Sequence, residues 1–243
     1  MKRVLLENNV PFEGDKIKLP VGTKHVKLDV GLSYSAPFSQ YWLSREDNLS
    51  VFSFEPNPEA VALIRSPLNK KKQENHGDIL EHKFIDTRCH IIPVALGKES
   101  EEKRDFYITT YDEGCSSFYK PSGELFHIEK KIHVPVFRLY EFFSHFPWET
   151  IPYIEYLKID AQGADLDILI GAGDYLSKVV FITTEATVGN LYLDVENNDV
   201  TKVDSYLCEK GFIRIQHPNT SDPTYLNTRF MEEASTIFIY QKE

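Results

Sequence analysis

The sequence predicts an α/β fold, a mostly parallel sheet with helices on both faces, formed as one domain over residues 1–243. Apolar, β-rich runs alternate with helix-periodic segments through most of the chain, the pattern of parallel strands joined by crossover helices. The chain is long enough to bury a full core and stays within the range of a single α/β domain. In addition, four of the five core strand ends carry an acid, so the strands terminate in one chemically distinctive layer.

Residues 1–24 form an N-terminal extension, and residues 26–31 read as the first core strand. A helix over 36–44 follows, with Phe38, Tyr41 and Trp42 at helical spacing. The second strand spans 51–55. Pro56-Asn57-Pro58 then breaks the chain, and Pro58 is placed as the first residue of a helix carrying Ala60, Val61, Leu63 and Ile64. Residues 66–88 are polar and irregular. The third strand covers 91–97, with Pro93 at a bulge or an edge.

The segment 98–136 departs from the alternation. Residues 106–109 and 132–136 look like extra strands flanking a loop at 114–119, a small β insertion before the fourth core strand that is placed to cover a substrate. The fourth strand is expected over 153–160. After the Gln162-Gly163 turn comes a helix with Leu166, Leu169 and Ile170 on one face and Gly171 and Gly173 as its stop. Residues 179–185 are nearly all apolar or β-branched, as a strand buried on both faces should be. Asn198 is placed to cap a helix carrying Val200, Val203 and Leu207 that ends at Gly211. Residues 212–216 and 236–240 read as a closing antiparallel pair, giving a seven-stranded sheet with an antiparallel last strand.

Composition narrows the function classes. Hydrophobic residues make up 42% and charged residues 26%, which fits a globular protein and neither a disordered chain nor a membrane protein. The net charge of −10 repels a polyanion, and Lys70-Lys71-Lys72 has no interleaved aromatics, so it reads as a solvated loop and nucleic acid is not an expected partner. Only three apolar residues, Val4 to Leu6, precede the first acid, too few for a signal-peptide core, and no run approaches the length needed to span a bilayer. Cys89, Cys115 and Cys208 are odd in number and far apart, which suggests free thiols in a reducing compartment. A cytoplasmic location without a membrane partner is therefore expected. No ligand set for a metal appears.

In an open parallel sheet, ligands bind beyond the carboxyl ends of the strands near the topological switch point. Here those ends read Asp29-Val30-Gly31, Glu55-Pro56-Asn57, Ala95-Leu96-Gly97, Asp160-Ala161-Gln162 and Thr184-Glu185. A carboxylate there accepts hydrogen bonds from ribose hydroxyls or an amino group, and a cationic sulfonium tolerates such surroundings better than a pyrophosphate does. S-adenosylmethionine is thus favoured over a dinucleotide, with Glu55 placed either to grip the ribose or, as a solvated acid, simply to cap its loop. The first loop, 31–36, has one glycine, with Ser33 and Ser35 as its small polar positions and Ser35 standing where a close-approach glycine would be expected. Gly31 serves either the turn alone or the approach of a ligand.

The ordered set Leu28-Asp29-Val30-Gly31, then residues 51–58, Val94-Ala95-Leu96-Gly97, Ser116-Ser117 and residues 157–165 resembles the FkbM family of methyltransferases, over roughly residues 25 to 230. The resemblance implies a Rossmann-like class I methyltransferase fold and, usually, O-methylation of a hydroxyl on a sugar, polyketide or similar small molecule. It puts Asp29 and Gly31 near the methionine part of the cofactor, Glu55 on the ribose, Pro56-Asn57 and Ala95-Leu96 beside the adenine, and Asp160 facing the methyl. The chain departs from the family pattern in its depleted glycine loop, in Gln162 and Asp165 where glutamates are common, and in residues 137–140 where a Thr-Leu-Asp pattern is usual.

Methyl transfer to a hydroxyl is an in-line displacement, so alignment of oxygen, methyl and sulfur does most of the work. Asp160 is the candidate base or positioning acceptor, with Lys158 or Glu185 adjusting its pKa or orienting substrate. The alternatives are that Asp160 caps the turn into the next helix, that Lys158, on the same strand face, simply neutralises it, and that Glu185 is a structural acceptor. Asp165 is expected to stabilise its helix amino terminus rather than to act in catalysis. Ser116 and Ser117 are candidates to border the pocket, whereas His127 and His133 read as solvent-facing. Two rivals remain: a nicotinamide-dependent oxidoreductase, which lacks the G-x-G-x-x-G signature, and a non-catalytic scaffold on the same fold. The partner expected is a small-molecule or glycan acceptor; neither its identity nor the oligomeric state is written in these motifs.

Overall fold

A seven-stranded central sheet organises the computed structural model, which describes residues 1–68, 79–110, 113–123, 127–185, 191–193, 195, 199–215 and 222–237. In chain order, α1 (Lys2–Glu7), β1 (Phe12–Glu13) and β2 (Lys16–Ile17) lead to β3 (His25–Val30), α2 (Pro37–Leu43), β4 (Leu49–Phe54), α3 (Pro58–Ile64) and β5 (Cys89–Ile92). Next come β6 (Ala95–Leu96), β7 (Glu101–Thr109), β8 (Ile128–Phe137), α4 (Leu139–Ser144), β9 (Ile154–Ile159), α5 (Asp165–Gly171) and β10 (Val179–Thr184). The described chain closes with α6 (Val200–Glu209), β11 (Phe212–Ile215), β12 (Thr224–Asn227) and α7 (Met231–Ala234).

Strands β5, β4, β3, β9 and β10 are parallel neighbours, and β12 runs antiparallel to both β10 and β11. The chain steps outward from β3 to β5, then returns to the other side of β3 for β9. Between β3 and β9 lies the switch point, where a crevice opens beyond the strand ends.

All six residues of β4, β9 and β10 are buried, because the sheet is covered on both faces. Alternation along β4 feeds two cores: Phe52 and Phe54 pack with Phe142, Leu157 and Leu169 on one side, and Val51 packs with Trp42, Ile64 and Tyr156 on the other. Pro58 starts α3, and the Asn57 side chain caps it by accepting from the Glu59 N–H at 3.0 Å.

Several elements differ from the sequence expectation. The third strand is divided: β5 stops at Ile92, and β6 pairs in parallel with β8 in a separate three-stranded sheet. Pro93 offers no N–H to continue a ladder, and the Val94 N–H turns back to the Ile92 carbonyl at 2.9 Å, so the chain leaves one sheet for another rather than bulging within it. The two insertion strands, β7 and β8, form a longer antiparallel hairpin than the apolar stretches 106–109 and 132–136 indicated, because their outer residues are charged and exposed. Helix α4 was not anticipated; it buries Leu139, Phe142 and Phe143. In α5 the buried face is Leu166, Ile168 and Leu169 rather than one including Ile170, and the helix ends at Gly171 while Gly173 opens a short 3₁₀ segment.

The cap of α6 is Asp199, which accepts from the Thr201 N–H at 2.6 Å; Asn198 lies outside the described residues. The partner of β11 is β12, within a stretch read as irregular. Thr236 and Ile237 form a turn rather than a strand, and 238–240 lie outside the described residues, as do Lys70 to Lys72. The three cysteines are thiols rather than disulfides. Among the described residues, no helix is long and apolar enough to cross a membrane.

One packing constraint joins the insertion to the sheet. A β-carbon on Gly171 would lie 2.2 Å from the carbonyl oxygen of Gly97, so the end of α5 rests directly on the backbone that follows β6. Gly171→Ala is expected to cost about 1–3 kcal/mol, read as a lower urea midpoint with an unchanged slope; an unaltered midpoint would show that this contact gives way freely.

Candidate active site

The site is built at the adjoining ends of β3, β4, β9 and β10. Gly31, just past β3, has φ +77°, and a β-carbon there would fall 1.7 Å from the carbonyl oxygen of Asp160. The left-handed φ fits the turn role read from the sequence, and the close crossing of the chain just past the end of β9 is a further reason that glycine is required. Beneath this crossing, Asp29 is buried, its Oδ2 accepting from the Ser39 N–H at 3.2 Å and the Ser39 hydroxyl at 2.7 Å. Its Oδ1 lies 3.4 Å from Lys158 Nζ.

Lys158 sits between two acids, since its Nζ is also 3.4 Å from Asp160 Oδ2 and donates to the Gly31 carbonyl at 2.8 Å. Burial opposes the ammonium, but the charges of Asp160 and Asp29 outweigh it and raise the lysine pKa. The face shared by Lys158 and Asp160 is the one their spacing predicts, and Lys158 does pair with the acid.

The first loop is held by Glu55. One of its carboxylate oxygens accepts from the Ser33 N–H at 2.7 Å and the other from the Asn57 N–H at 2.8 Å. Burial pushes this carboxyl up to about 7, against the lowering effect of those two N–H groups and Lys158. Ser33, with φ +56°, lines the cleft.

Four sequence candidates do not line the cleft, among them Lys158, which is buried behind the wall between Asp29 and Asp160. Asp29 lies under it, Asn57 is turned to cap α3, and Ser35 is fully buried with its carbonyl accepting from the Leu80 N–H at 2.9 Å. Gly31, Glu55 and Pro56 form one wall; Ala95 and Leu96 add an apolar wall, with Phe106, Cys115, Ser116 and Phe118 from the insertion. Among the described residues, every ionisable side chain on the cleft wall apart from the Cys115 thiol is an acid: Glu55, Asp160 and Glu185.

Asp160 keeps 39% of its side chain exposed, on the cleft side. It does not cap α5, whose N-cap is Ala164 with no side-chain cap bond. Its Oδ1 accepts from Gln162 Nε2 at 3.0 Å, and the same amide nitrogen donates to Glu185. Burial would raise the Asp160 pKa, but Lys158, Glu185 and Gln162 together lower it; burial and then the Asp160 charge raise that of Glu185 well above its ordinary value. The same contact thus drives the two carboxyls in opposite directions, Asp160 toward the ionised form and Glu185 toward the protonated one. Asp165, in the first turn of α5, accepts from the Glu185 N–H at 3.1 Å and is pushed up to about 7 by burial and then by Asp160. It ties the end of β10 to the helix, beyond the terminus-stabilising role read from sequence.

The sequence reading missed Tyr192, whose hydroxyl lies 2.8 Å from Gln162 Oε1 and 2.5 Å from the Cys115 carbonyl. No periodic signal marks it. Ser117 donates to the Gln162 carbonyl at 2.6 Å, so the predicted serine pair borders the site through Ser116 on the wall and Ser117 behind it. His127 is exposed, and His133, also exposed, pairs with Asp105 at 3.2 Å; both face solvent as expected. Among the described residues, no group of His, Cys, Asp and Glu is arranged to hold a metal ion.

Two outcomes follow from this geometry. Gly31→Ala should cost at least about 2 kcal/mol, since both the left-handed backbone and the Asp160 carbonyl oppose a side chain; a near-neutral denaturation midpoint would contradict the crossing. Glu55 and Asp165 bind a proton more tightly when folded than when unfolded. Their contribution to stability is fully present below the ordinary carboxylate range and is lost as pH rises through about 7. Relative to wild type, Glu55→Gln should therefore gain stability between about pH 5 and pH 8, measured by thermal melts at both; a relative loss would reverse the assignment.

No curated protein and no solved structure matches the chain significantly. The methyltransferase FkbM domain matches residues 27–214, from within β3 to within β11 and through every residue of the cleft wall. This chain belongs to the FkbM methyltransferase family.

Proposed function

We propose that the protein is an S-adenosylmethionine-dependent methyltransferase acting on a hydroxyl of a sugar, a glycan or a small metabolite. The observation that carries this reading is the cleft wall, whose described ionisable side chains apart from the Cys115 thiol are Glu55, Asp160 and Glu185, while Lys158 is buried behind the wall and paired with Asp29 and Asp160. A pyrophosphate would meet only acids there, whereas a sulfonium cation is favoured. The residues present fit the cofactor. The carboxylate of Glu55 uses two of about four acceptor positions on backbone N–H groups and keeps the remainder for ribose hydroxyls. Pro56, Val94, Ala95 and Leu96 offer the apolar surface an adenine ring requires.

When bound, S-adenosylmethionine supplies an electrophilic methyl group. The chain contributes position. Gly31 and Ser33 form the floor beside Glu55, and Asp29 acts from below by fixing Lys158 and the start of α2. Asp160, held ionised by Lys158 and Gln162, accepts a hydrogen bond from the acceptor hydroxyl and aligns its oxygen. A carboxylate with a lowered pKa is a weak base, so of the two roles open to Asp160 the positioning acceptor is favoured. Phe106 and Phe118 of the insertion give a sugar ring or similar body an apolar face and exclude water.

Calorimetry with S-adenosylhomocysteine tests the cofactor reading: affinity should rise about tenfold from pH 6 to pH 8, as Glu55 ionises, and Glu55→Gln should lose that dependence. No detectable binding would favour the scaffold reading instead. Asp160→Asn should lower methyl transfer at least about 100-fold across a panel of hydroxylated glycans and metabolites while the homocysteine product binds as before; undiminished transfer would reject its role.

A further inference from the structure

Among the described residues, Gln162 is a polar side chain that touches both members of the acid pair. Its amide has a donor end and an acceptor end, and the orientation matters. Turned one way, Nε2 donates to Asp160 and Glu185. Turned the other way, the carbonyl oxygen would face the acceptor oxygens of Asp160 and Glu185 and leave the Asp160 carboxylate without that donor. What fixes the amide lies on the far side: the Tyr192 hydroxyl, which is almost fully buried and 2.8 Å from Gln162 Oε1.

Tyr192 is itself held by the insertion. It bridges Pro121 in an antiparallel step, flanked by the Ser122 N–H to the Leu191 carbonyl and the Leu193 N–H to the Lys120 carbonyl, both 2.8 Å. Its single hydroxyl hydrogen is shared, in a three-centre bond, between Gln162 Oε1 at 2.8 Å and the Cys115 carbonyl at 2.5 Å. Residues 191–193 thus form a strap that joins the insertion to the cleft beside Gln162.

We propose that Tyr192 is a positioning residue: seated by the strap between residues 191–193 and 120–122, it turns the Gln162 amide nitrogen toward Asp160 and Glu185 and so keeps Asp160 as the ionised acceptor. The inference rests on the role given to Asp160 above, but not on which cofactor binds. The other charged groups facing the pair are Lys158 from β9, Asp29 from β3, Glu55 beyond β4, Asp165 from α5 and Asp222 before β12. None of them changes when Tyr192 or Gln162 is replaced by a neutral residue.

The test is a carboxyl titration by NMR of the full chain labelled with ¹³C at the Asp and Glu carboxyl carbons, without cofactor. In Gln162→Leu the Asp160 midpoint should move up by about one pH unit. Tyr192→Phe, which keeps the ring and the Gln162 side chain, should move it the same way by a smaller amount. A purely structural tyrosine would lower the melting temperature and leave the Asp160 midpoint in place, and that result would overturn the proposal. If Gln162→Leu fails to fold, Tyr192→Phe alone decides. Because the titration is read without S-adenosylhomocysteine, failure to bind that compound would sink the cofactor reading and leave this one standing.

Discussion

The buried ammonium of Lys158 is the interaction on which the rest of the site depends. An isolated charge that deep is unfavourable, and removing one partner of such a pair typically costs about 3–5 kcal/mol. Lys158 is therefore tolerable only where two carboxylates and a carbonyl converge, and Asp29, Asp160 and Gly31 supply them from two neighbouring strands. That requirement draws the ends of β3 and β9 together until only glycine fits at position 31. Through Ser39, the same acid anchors the start of α2 and with it the first loop.

Proton distribution follows from this placement. Lys158 is in contact with Asp160 and Asp29, so Asp160 is held ionised. Glu185 and Asp165 lie beyond that contact and meet the Asp160 charge as repulsion added to burial, while Glu55 is raised by burial with a smaller repulsion from the same charge. The cleft thus presents an ionised Asp160 beside acids whose hold on a proton is raised. An incoming cation meets attraction at Asp160 without requiring several like charges to coexist in the empty cleft.

Much of this was legible in the sequence for a physical reason. Strands buried on both faces must be continuously apolar, so β4, β9 and β10 declare themselves, and the acids directly after them mark the strand ends. Glu55, Asp160 and Glu185 were accessible to that logic, and so was the face shared by Lys158 and Asp160. The roles of Asp29, Ser35 and Asn57 were not, because a strand-end position does not reveal whether a side chain turns into the cleft or under it. The passage from β5 to β6 was hidden in one apolar run, and only the missing N–H of Pro93 hinted at it. Strand β12 is four residues long, too short to display a period of two. Tyr192 follows β10 in sequence and meets Gln162 only through tertiary pairing with the insertion, which leaves no local signature.

The departure at position 162 then acquires a physical sense. A glutamate there would place a further carboxylate against Asp160 and Glu185, and the group would need an additional proton or a cation to remain together. Glutamine has nearly the same shape, but its nitrogen supplies donors to both acids and its oxygen accepts from Tyr192. The shorter acid at 165 is consistent with this arrangement, since an aspartate in the first turn of α5 already reaches the Glu185 N–H and stands back from the cleft wall. In this chain the pair is thus balanced by an amide and one lysine, and the geometry of the acceptor carboxylate is set by hydrogen bonds rather than by a second positive charge.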